Sequence, residues 1–220
     1  MISKREFAIY NQQLISNKKI SRMKLKTLIP KSEARRQVVQ RRSEIPQHEI
    51  RNKTKLIIDR LAGTDEFIYA KNVYCYINSR PGEVDTRSLI TYMEGWGKTI
   101  ILPKLNKQSK SFRRAYFLGW DKIVKNNEGY WEPSVGADDD MSDIDLIIVP
   151  ALAVSKHGQR IGYGGGYYDK LLKQTFAPKV VLAFEFQVFD YIESSVHDIR
   201  VDKIVTERRI INTRINGTPL

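Results

Sequence analysis

The sequence is short of cysteine, of histidine and of long apolar runs, and each shortage removes a class of structure or chemistry. Cys75 is the only cysteine, so an intrachain disulfide framework is excluded, which suits a reducing compartment. No apolar run reaches the roughly 18 residues of a transmembrane helix, so we expect a cytoplasmic protein without membrane association. His48 and His157 have no matching set of ligand residues beside them, which argues against a zinc site.

The excess of positive charge is concentrated in the N-terminal part of the chain. The net charge is +12, and residues 1–60 hold sixteen Lys or Arg against five Asp or Glu, a net of +11. Such a segment could bind the phosphates of a nucleic acid. Few aromatic residues interleave with these charges, so we favour a solvated helix face over a nucleic-acid partner, and the basic nucleic-acid-binding module remains an alternative.

We divide the chain into a basic N-terminal extension, residues 1–26, and one α/β domain, residues 27–220. The first 22 residues lack the apolar core and cleavage site of a secretory signal. An organelle transit peptide and a translation start at Met23 both remain open. No linker divides the rest of the chain, and we expect a monomer or weak homo-oligomer.

The fold class follows from alternating helical and strand patterns. Two helices are predicted at 32–43 and 47–61, with Ser32 as the N-cap of the first and Gly63 ending the second. Further helices are predicted at 84–96 and 167–176, and short apolar runs predict strands at 73–77, 99–102, 115–118, 145–149, 179–184 and 203–206. Because several runs are continuously apolar, they favour strands buried on both faces of a mainly parallel sheet flanked by helices. Residues 104–144 carry turn signals that predict a hairpin and a surface excursion.

A glycine-rich run, RIGYGGGYYDK at residues 160–170, follows the strand predicted at 145–149 and precedes a predicted helix. Ligands of open α/β sheets bind beyond the carboxyl ends of strands, and glycines let backbone N–H groups approach a phosphate closely. The run matches neither the dinucleotide fingerprint nor the P-loop. On these grounds alone, a phosphate-binding loop and a structural turn are equally supported.

Charged residues at the two ends of the run favour the phosphate interpretation. Arg160 could hold a phosphate with two parallel hydrogen bonds, and Asp169 could bind Mg²⁺ beside bound phosphates. Taken singly, Arg160 could equally form a surface ion pair and Asp169 could simply begin a helix. Their position on both sides of the glycines makes the functional interpretation the stronger one.

The longest recognisable segment, DLIIVPALAVSKHGQRIGYGGGYYDKLL, closely resembles the signature of the 5-formyltetrahydrofolate cyclo-ligases, also called 5,10-methenyltetrahydrofolate synthetases. Four shorter segments are similar to other parts of that family: KSEARRQVVQRR, PGEVDTRSLI, GYWEP and VHDIRVDKIVTE. The resemblance covers roughly residues 28–210. It implies a three-layer fold like that of ribose-5-phosphate isomerase and CoA-transferase relatives.

The resemblance implies ATP- and Mg²⁺-dependent closure of 5-formyltetrahydrofolate to 5,10-methenyltetrahydrofolate, with release of ADP and phosphate. Phosphoryl transfer to the formyl oxygen would give an iminium phosphate, which the N10 amine attacks as phosphate leaves. Such chemistry needs in-line positioning and charge neutralisation more than a protein nucleophile. A phosphate- or nucleotide-binding protein of the same fold without this activity is the alternative, because fold does not imply function.

The resemblance also assigns residues. Lys31 and Arg35, four apart on one helix, would contact the ATP phosphates, with Lys31 and Arg160 in catalytic roles and Asp169 holding Mg²⁺. Glu83 would contact the folate, and Phe112, Trp131 and Tyr163 are candidate aromatic walls. The rest of the phosphate cradle would be the backbone of Gly162, Tyr163, Gly164, Gly165, Gly166, Tyr167 and Tyr168.

Three features do not enter this assignment. Val154-Ser155 stands where the family often has Phe-Asp, which leaves the role of that position open. His197-Asp198 has no Ser or Cys nearby and is interpreted as a structural turn. Cys75 lies inside a predicted strand and is interpreted as a core residue rather than a nucleophile.

Overall fold

The structure is a computed structural model that describes residues 28–196 and 198–213. The predicted extension at 1–26 and His197 lie outside the described residues. The helices there are α1 (Lys31–Glu44), α2 (Gln47–Ala62), α3 (Asp65–Tyr69), α4 (Thr86–Gly95) and α5 (Tyr167–Leu172). The strands are β1 (Leu28–Ile29), β2 (Asn72–Tyr74), β3 (Thr99–Asn106), β4 (Ser111–Tyr116), β5 (Ile123–Lys125), β6 (Trp131–Pro133), β7 (Leu146–Val149), β8 (Ala153–Ser155), β9 (Arg160–Ile161), β10 (Lys179–Leu182), β11 (Val188–Phe189), β12 (Tyr191–Ile192), β13 (Lys203–Val205) and β14 (Ile210–Asn212).

A seven-stranded sheet forms the centre, in the order β14-β13-β10-β7-β2-β3-β4. The inner neighbours from β13 to β3 pair in parallel, while β4 and β14 pair antiparallel at the two edges. The mainly parallel sheet predicted from the continuous apolar runs is therefore confirmed. Small sheets of two or three strands, such as β8 with β9 and β11, lie beside it.

Alternate residues of the central strands enter two separate apolar clusters. Ile148 packs in the cluster that contains the buried faces of α2 and α4, whereas Ile147 packs in the cluster that contains Leu171 and Leu172 of α5. Because successive strand residues point to opposite faces, the sheet is covered on both sides. Polar side chains are thereby displaced from the sheet faces to the strand ends and the loops.

Two predicted helix boundaries need correction. Pro30, not Ser32, is the N-cap of α1, and no side chain caps that end. The fixed φ of proline, −61° here, suits the residue that precedes a helix, so Ser32 falls inside the first turn. The helix predicted at 167–176 ends at Leu172, so it offers only a short dipole to the glycine run.

Strand boundaries shift by a few residues, mostly towards the N-terminus. The strand predicted at 73–77 is β2, which ends at Tyr74, although Cys75 N still donates to Ile101 O at 2.8 Å. The one predicted at 115–118 is β4, which ends at Tyr116. The hairpin predicted within 104–144 is confirmed as β3–β4, and β5–β6 forms a second one. No helix in the described part of the chain is long and apolar enough to cross a bilayer.

Replacement of Ile148 by alanine tests the buried central strand. Ile148 is 0 % exposed, so Ile148→Ala should lower the free energy of unfolding by about 2–5 kcal/mol, because the cavity cannot fully close. Ile210→Ala on the edge strand is the matched control, since Ile210 is 40 % exposed, and should cost less than about 1 kcal/mol. Urea unfolding followed by circular dichroism measures both, and equal losses would contradict the described core.

Candidate active site

A cavity of about 320 Å³ lies beyond the carboxyl ends of β2 and β7, where Tyr76 and Pro150 form part of its wall. Every residue assigned to the site from the sequence lines this cavity. These residues are Lys31, Arg35, Glu83, Phe112, Trp131, Arg160, Gly162, Tyr163, Gly164, Gly165, Gly166, Tyr167, Tyr168 and Asp169. Five chain segments that are separate in sequence therefore meet at one place.

The glycine loop, residues 162–166, connects β9 to α5 along one wall of the cavity. Gly164 has φ of 104° and Gly166 has φ of 69°, both in the region that favours glycine. A Cβ added at either position would meet no heavy atom within 4 Å. The backbone here, rather than a side chain, therefore faces open space. Because α5 has only six residues, it offers at most a short helix dipole beside the loop.

Arg160 and Asp169 at the two ends of the glycine loop are joined by an ion pair. Arg160 Nη2 donates to Asp169 Oδ1 at 2.8 Å, and Arg160 Nη1 donates to Pro150 O at 3.3 Å. The Arg160 side chain is only 4 % exposed, against 30 % for Asp169. The guanidinium is thus held in one orientation between the end of β7 and α5. Asp169 Oδ2 has no hydrogen-bond partner among the residues that the structure describes.

Helix α1 places Lys31 and Arg35 on the same side of the cavity. Lys31 Nζ donates to Asp198 Oδ2 at 2.6 Å, and Arg35 Nε donates to the carbonyl of Gly162 at 3.1 Å. Burial opposes ionisation of the Asp198 carboxyl, but the hydrogen bonds from Lys31 and Ser195 outweigh it, and the pKa of Asp198 lies below its usual value. Arg35 is therefore held against the glycine loop, and Lys31 is held by Asp198 in the same cavity lining.

Glu83 is held in a turn that also lines the cavity. Its Oε2 accepts the backbone N–H groups of Ser79 and Arg80 at 2.9 and 3.0 Å. Its Oε1 lies 3.5 Å from Nη1 of Arg42, and Glu83 and Arg42 are both more than nine-tenths buried. The carboxylate is thus fixed and charge-compensated, with its position set by the 79–83 turn.

The candidate aromatic walls have different surroundings. The centroid of the Phe112 ring lies 5.3 and 5.2 Å from the ring centroids of Tyr167 and Tyr168. Phe112 belongs to the apolar cluster around α5. Trp131 lies on β6, with the Arg87 guanidinium 4.8 Å from its ring centroid. Tyr163 is the most exposed of the three, at 48 %. Phe112 and Trp131 are therefore braced by neighbours, and each presents only part of its surface to the cavity.

Sequence reasoning missed several residues of the site. Asp198 was interpreted as a turn residue, and its carboxylate does accept Ser195 N at 2.8 Å, but the same carboxylate lines the cavity and pairs with Lys31. Arg80 and Tyr130 also line it, with the Arg80 guanidinium 5.5 and 5.6 Å from the ring centroids of Tyr130 and Tyr163. No local pattern marks these residues, although Asp198 lies in a segment that resembles the family.

Val154-Ser155 lies outside the cavity. Val154 is buried in the apolar cluster around α5, and the Ser155 hydroxyl accepts the N–H groups of His157 and Gln159 in the turn after β8. An aspartate carboxylate would accept the same kind of hydrogen bond. Val154 and Ser155 therefore belong to β8 and the turn after it, and not to the cavity lining.

Comparison with known proteins gives one consistent answer. The model described as "5-formyltetrahydrofolate cyclo-ligase family" matches residues 29–207. The chain belongs to the 5-formyltetrahydrofolate cyclo-ligase family. A cyclo-ligase of Haemophilus influenzae is 32% identical over 139 residues, which cover 59% of this chain and 72% of that protein. The mouse cyclo-ligase is 25% identical over 186 residues, which cover 79% of this chain and 91% of that protein.

Solved structures of the family have the same architecture. The 5,10-methenyltetrahydrofolate synthetase of Aquifex aeolicus superposes with a TM-score of 0.75 and 33% identity, covering 86% of this chain and 95% of its own. The synthetase of Mycoplasma pneumoniae is 20% identical and superposes with a TM-score of 0.64, covering 80% of this chain and 98% of its own. At this identity it shows the shared fold alone. The resemblance read from the sequence motifs is thereby confirmed.

Cys75, His48 and His157 lie outside the cavity lining. Cys75 is fully buried, and burial raises the pKa of its thiol. Within residues 28–196 and 198–213, no group of three or more His, Cys, Asp or Glu is placed to hold a metal ion by itself. The argument against a zinc site at His48 and His157 stays a prediction.

Native Cys75 should be nearly unreactive. We expect no reaction with a thiol reagent such as 5,5′-dithiobis(2-nitrobenzoic acid) within minutes at pH 8, because the thiolate is disfavoured and the side chain is inaccessible. The same protein in guanidinium chloride should release one equivalent of chromophore. Rapid reaction of the folded protein would contradict the burial of Cys75.

The Lys31–Asp198 pair predicts a pH-dependent contribution to stability. Because the pKa of Asp198 is lower in the folded state, the contribution is present at neutral pH and is lost as the pH falls below about 4 through the folded pKa. Asp198→Asn should therefore lower the melting temperature at pH 7 and have a smaller effect near pH 3. Asp139→Asn is the control, since Asp139 is 75 % exposed, and a pH-independent effect of Asp198→Asn would contradict the pair.

Proposed function

We propose that the protein catalyses ATP-dependent cyclisation of 5-formyltetrahydrofolate to 5,10-methenyltetrahydrofolate, releasing ADP and phosphate. The observation that carries this proposal is that Lys31, Arg35 and Arg160 line one cavity together with the glycine loop and Glu83. Three cations beside an open backbone loop suit a polyphosphate. The curated relatives carry the name of this activity and match this chain over most of their own length.

The phosphate end of ATP would bind at the glycine loop. The positive φ angles of Gly164 and Gly166, together with the open space where a Cβ would project, leave room for phosphate oxygens close to backbone N–H groups. Lys31 and Arg35 approach from α1, and Arg160 approaches from β9. These cations would neutralise the charge that spreads over the transferred phosphoryl group.

The cavity also fits Mg²⁺, provided that phosphate oxygens complete its ligands. Asp169 lines the cavity with Oδ2 lacking a hydrogen-bond partner among the described residues, and Asp198 is a further aspartate in the lining. One or two carboxylates plus phosphate oxygens is the usual magnesium environment. A magnesium ion held there would neutralise phosphate charge, and Asp169 would orient it while Arg160 keeps that carboxylate in place.

The folate would occupy the end of the cavity formed by Glu83, Trp131 and Tyr163. The Glu83 carboxyl group is fixed by backbone N–H groups, and it could accept from the N–H donors of a pterin. Burial raises the pKa of Tyr163, against the opposing effect of Arg42, so its phenol stays protonated at neutral pH. Aromatic rings with some exposed surface suit stacking against the pterin or benzoyl ring.

In this scheme one cavity holds both the phosphates of ATP and the folate, so that a single phosphoryl transfer can occur between the two substrates. The formyl oxygen attacks the γ-phosphorus, the bond to the β–γ bridging oxygen breaks, and ADP leaves. The N10 amine then adds to the activated formyl carbon and gives its proton to solvent, the carbon–oxygen bond breaks, and inorganic phosphate departs as the ring closes. The chain supplies positioning and positive charge in this scheme, and no side chain forms a covalent bond.

The finer fold and cellular assignments belong to the same proposal. Helices on one face of the sheet and α5 on the other support the three-layer arrangement of ribose-5-phosphate isomerase and CoA-transferase relatives.

A single, buried cysteine supports a cytoplasmic location. We keep the expectation of a monomer or weak homo-oligomer. The nucleic-acid alternative rests mainly on a basic segment of which residues 1–27 lie outside the described part of the chain.

A direct assay distinguishes the cyclo-ligase from a phosphate- or nucleotide-binding protein of the same fold. The protein is incubated with 5-formyltetrahydrofolate and Mg²⁺, with and without ATP, and formation of the methenyl product is followed by absorbance. We expect product only with ATP, in a one-to-one ratio with ADP. Binding of ATP without product would reject the proposed activity and support the alternative.

Two substitutions test the site assignment. Arg160→Ala and Asp169→Asn should each lower kcat/KM by about a hundred-fold or more, because each removes a charge fixed beside the transferred phosphoryl group. Arg208→Ala and Asp190→Asn are the matched controls outside the cavity lining and should retain near-normal rates. If either cavity variant is folded and keeps its rate at saturating ATP, the site is wrongly assigned.

A further inference from the structure

Arg42 is a buried arginine that lies behind the cavity rather than in its lining. It is on the last turn of α1, more than a full helical turn beyond Arg35, and is 6 % exposed. A buried charge is costly unless it is paired and hydrogen-bonded. The contacts of its guanidinium therefore show which groups compensate its buried charge.

The guanidinium of Arg42 contacts three separate segments that form the cavity. Nη1 donates to the Tyr163 hydroxyl of the glycine loop at 2.8 Å and lies 3.5 Å from Glu83 Oε1. Nη2 donates to the carbonyl of Ala151, just beyond β7, at 2.9 Å. Arg42 thus connects the loop assigned to the phosphates with the carboxylate assigned to the folate.

The backbone of Arg42 makes an independent contact with the 79–83 turn. Gly82 has φ of 66°, and a Cβ added there would lie 2.5 Å from the carbonyl oxygen of Arg42 and 2.6 Å from its Cβ. Only glycine fits this approach without displacement of the backbone. The turn that presents Glu83 is therefore packed directly on the helix that presents the guanidinium.

We propose that Arg42 is a positioning residue, which sets the separation between Glu83 and the glycine loop and thereby aligns the two substrates. The role rests on the proposed function above. Arginine is suited to it because a planar fork with several N–H groups can serve three acceptors in fixed directions, whereas a lysine ammonium cannot reproduce that geometry. Arg42 Nε has no hydrogen-bond partner among the described residues. This buried, unpaired N–H is an unfavourable contribution to stability that accompanies the fixed orientation of the guanidinium.

Arg42→Lys tests the proposal because it keeps the charge and removes the fork. We expect kcat/KM to fall about ten-fold for both ATP and 5-formyltetrahydrofolate, the size of effect that loss of one charge-assisted hydrogen bond produces. Tyr163→Phe removes only the accepting hydroxyl and should lower kcat/KM by less. The double variant should be no worse than Arg42→Lys alone, since both changes remove the same contact. Arg41→Lys, on the exposed side of α1, is the matched control and should leave both constants unchanged.

Hydrogen–deuterium exchange without substrates provides a readout that does not depend on activity. In Arg42→Lys, amides of residues 160–168 should exchange faster than in the wild type, while those of β7 and β10 should be unchanged. The wild type could make no methenyl product while residues 160–168 still exchange faster in Arg42→Lys than in the wild type. In that case the proposed function fails and the positioning role stands. Unchanged exchange at 160–168, or additive losses in the double variant, would overturn the positioning role.

Discussion

The two apolar faces of the central sheet constrain everything else in this structure. β7 is buried along its whole length and β10 from its second residue onward, and these buried positions carry no charged group on either face. Polar chemistry is confined to the places where strands end and loops begin. Parallel neighbours end at the same edge, and the residues that follow β2 and β7 therefore meet at one cavity.

Charge compensation is the second organising principle. Lys31 pairs with Asp198, Arg160 with Asp169 and Arg42 with Glu83, so cations next to the cavity are oriented by carboxylates. Paired charges can lie in a partly buried site at an acceptable cost, whereas isolated ones cannot. An anionic ligand entering the cavity would thus meet donors that already have defined directions, which lowers the cost of ordering them on binding.

Much of the fold and of the site could be predicted from local sequence patterns. Continuous apolar runs predicted the parallel strands, because strands buried on both faces need no polar alternation. The glycine run with Arg160 and Asp169 was recognisable because loop, charge and following helix are contiguous. The boundaries were less predictable: α5 ends at Leu172 and β2 at Tyr74, since tertiary contacts, not propensity, decide where a short element stops.

The sequence by itself determined the family, the mainly parallel sheet and the residues of the glycine loop, because these depend on patterns within contiguous stretches of chain. Tertiary structure alone decided which distant charges meet. Arg42 and Tyr163 are 121 positions apart, and Lys31 and Asp198 are 167 apart. No local pattern records such contacts, because they arise only when helix α1 packs against the ends of the strands. Asp198, a turn residue in the sequence, and Arg42, a helix charge, thereby become parts of the same site.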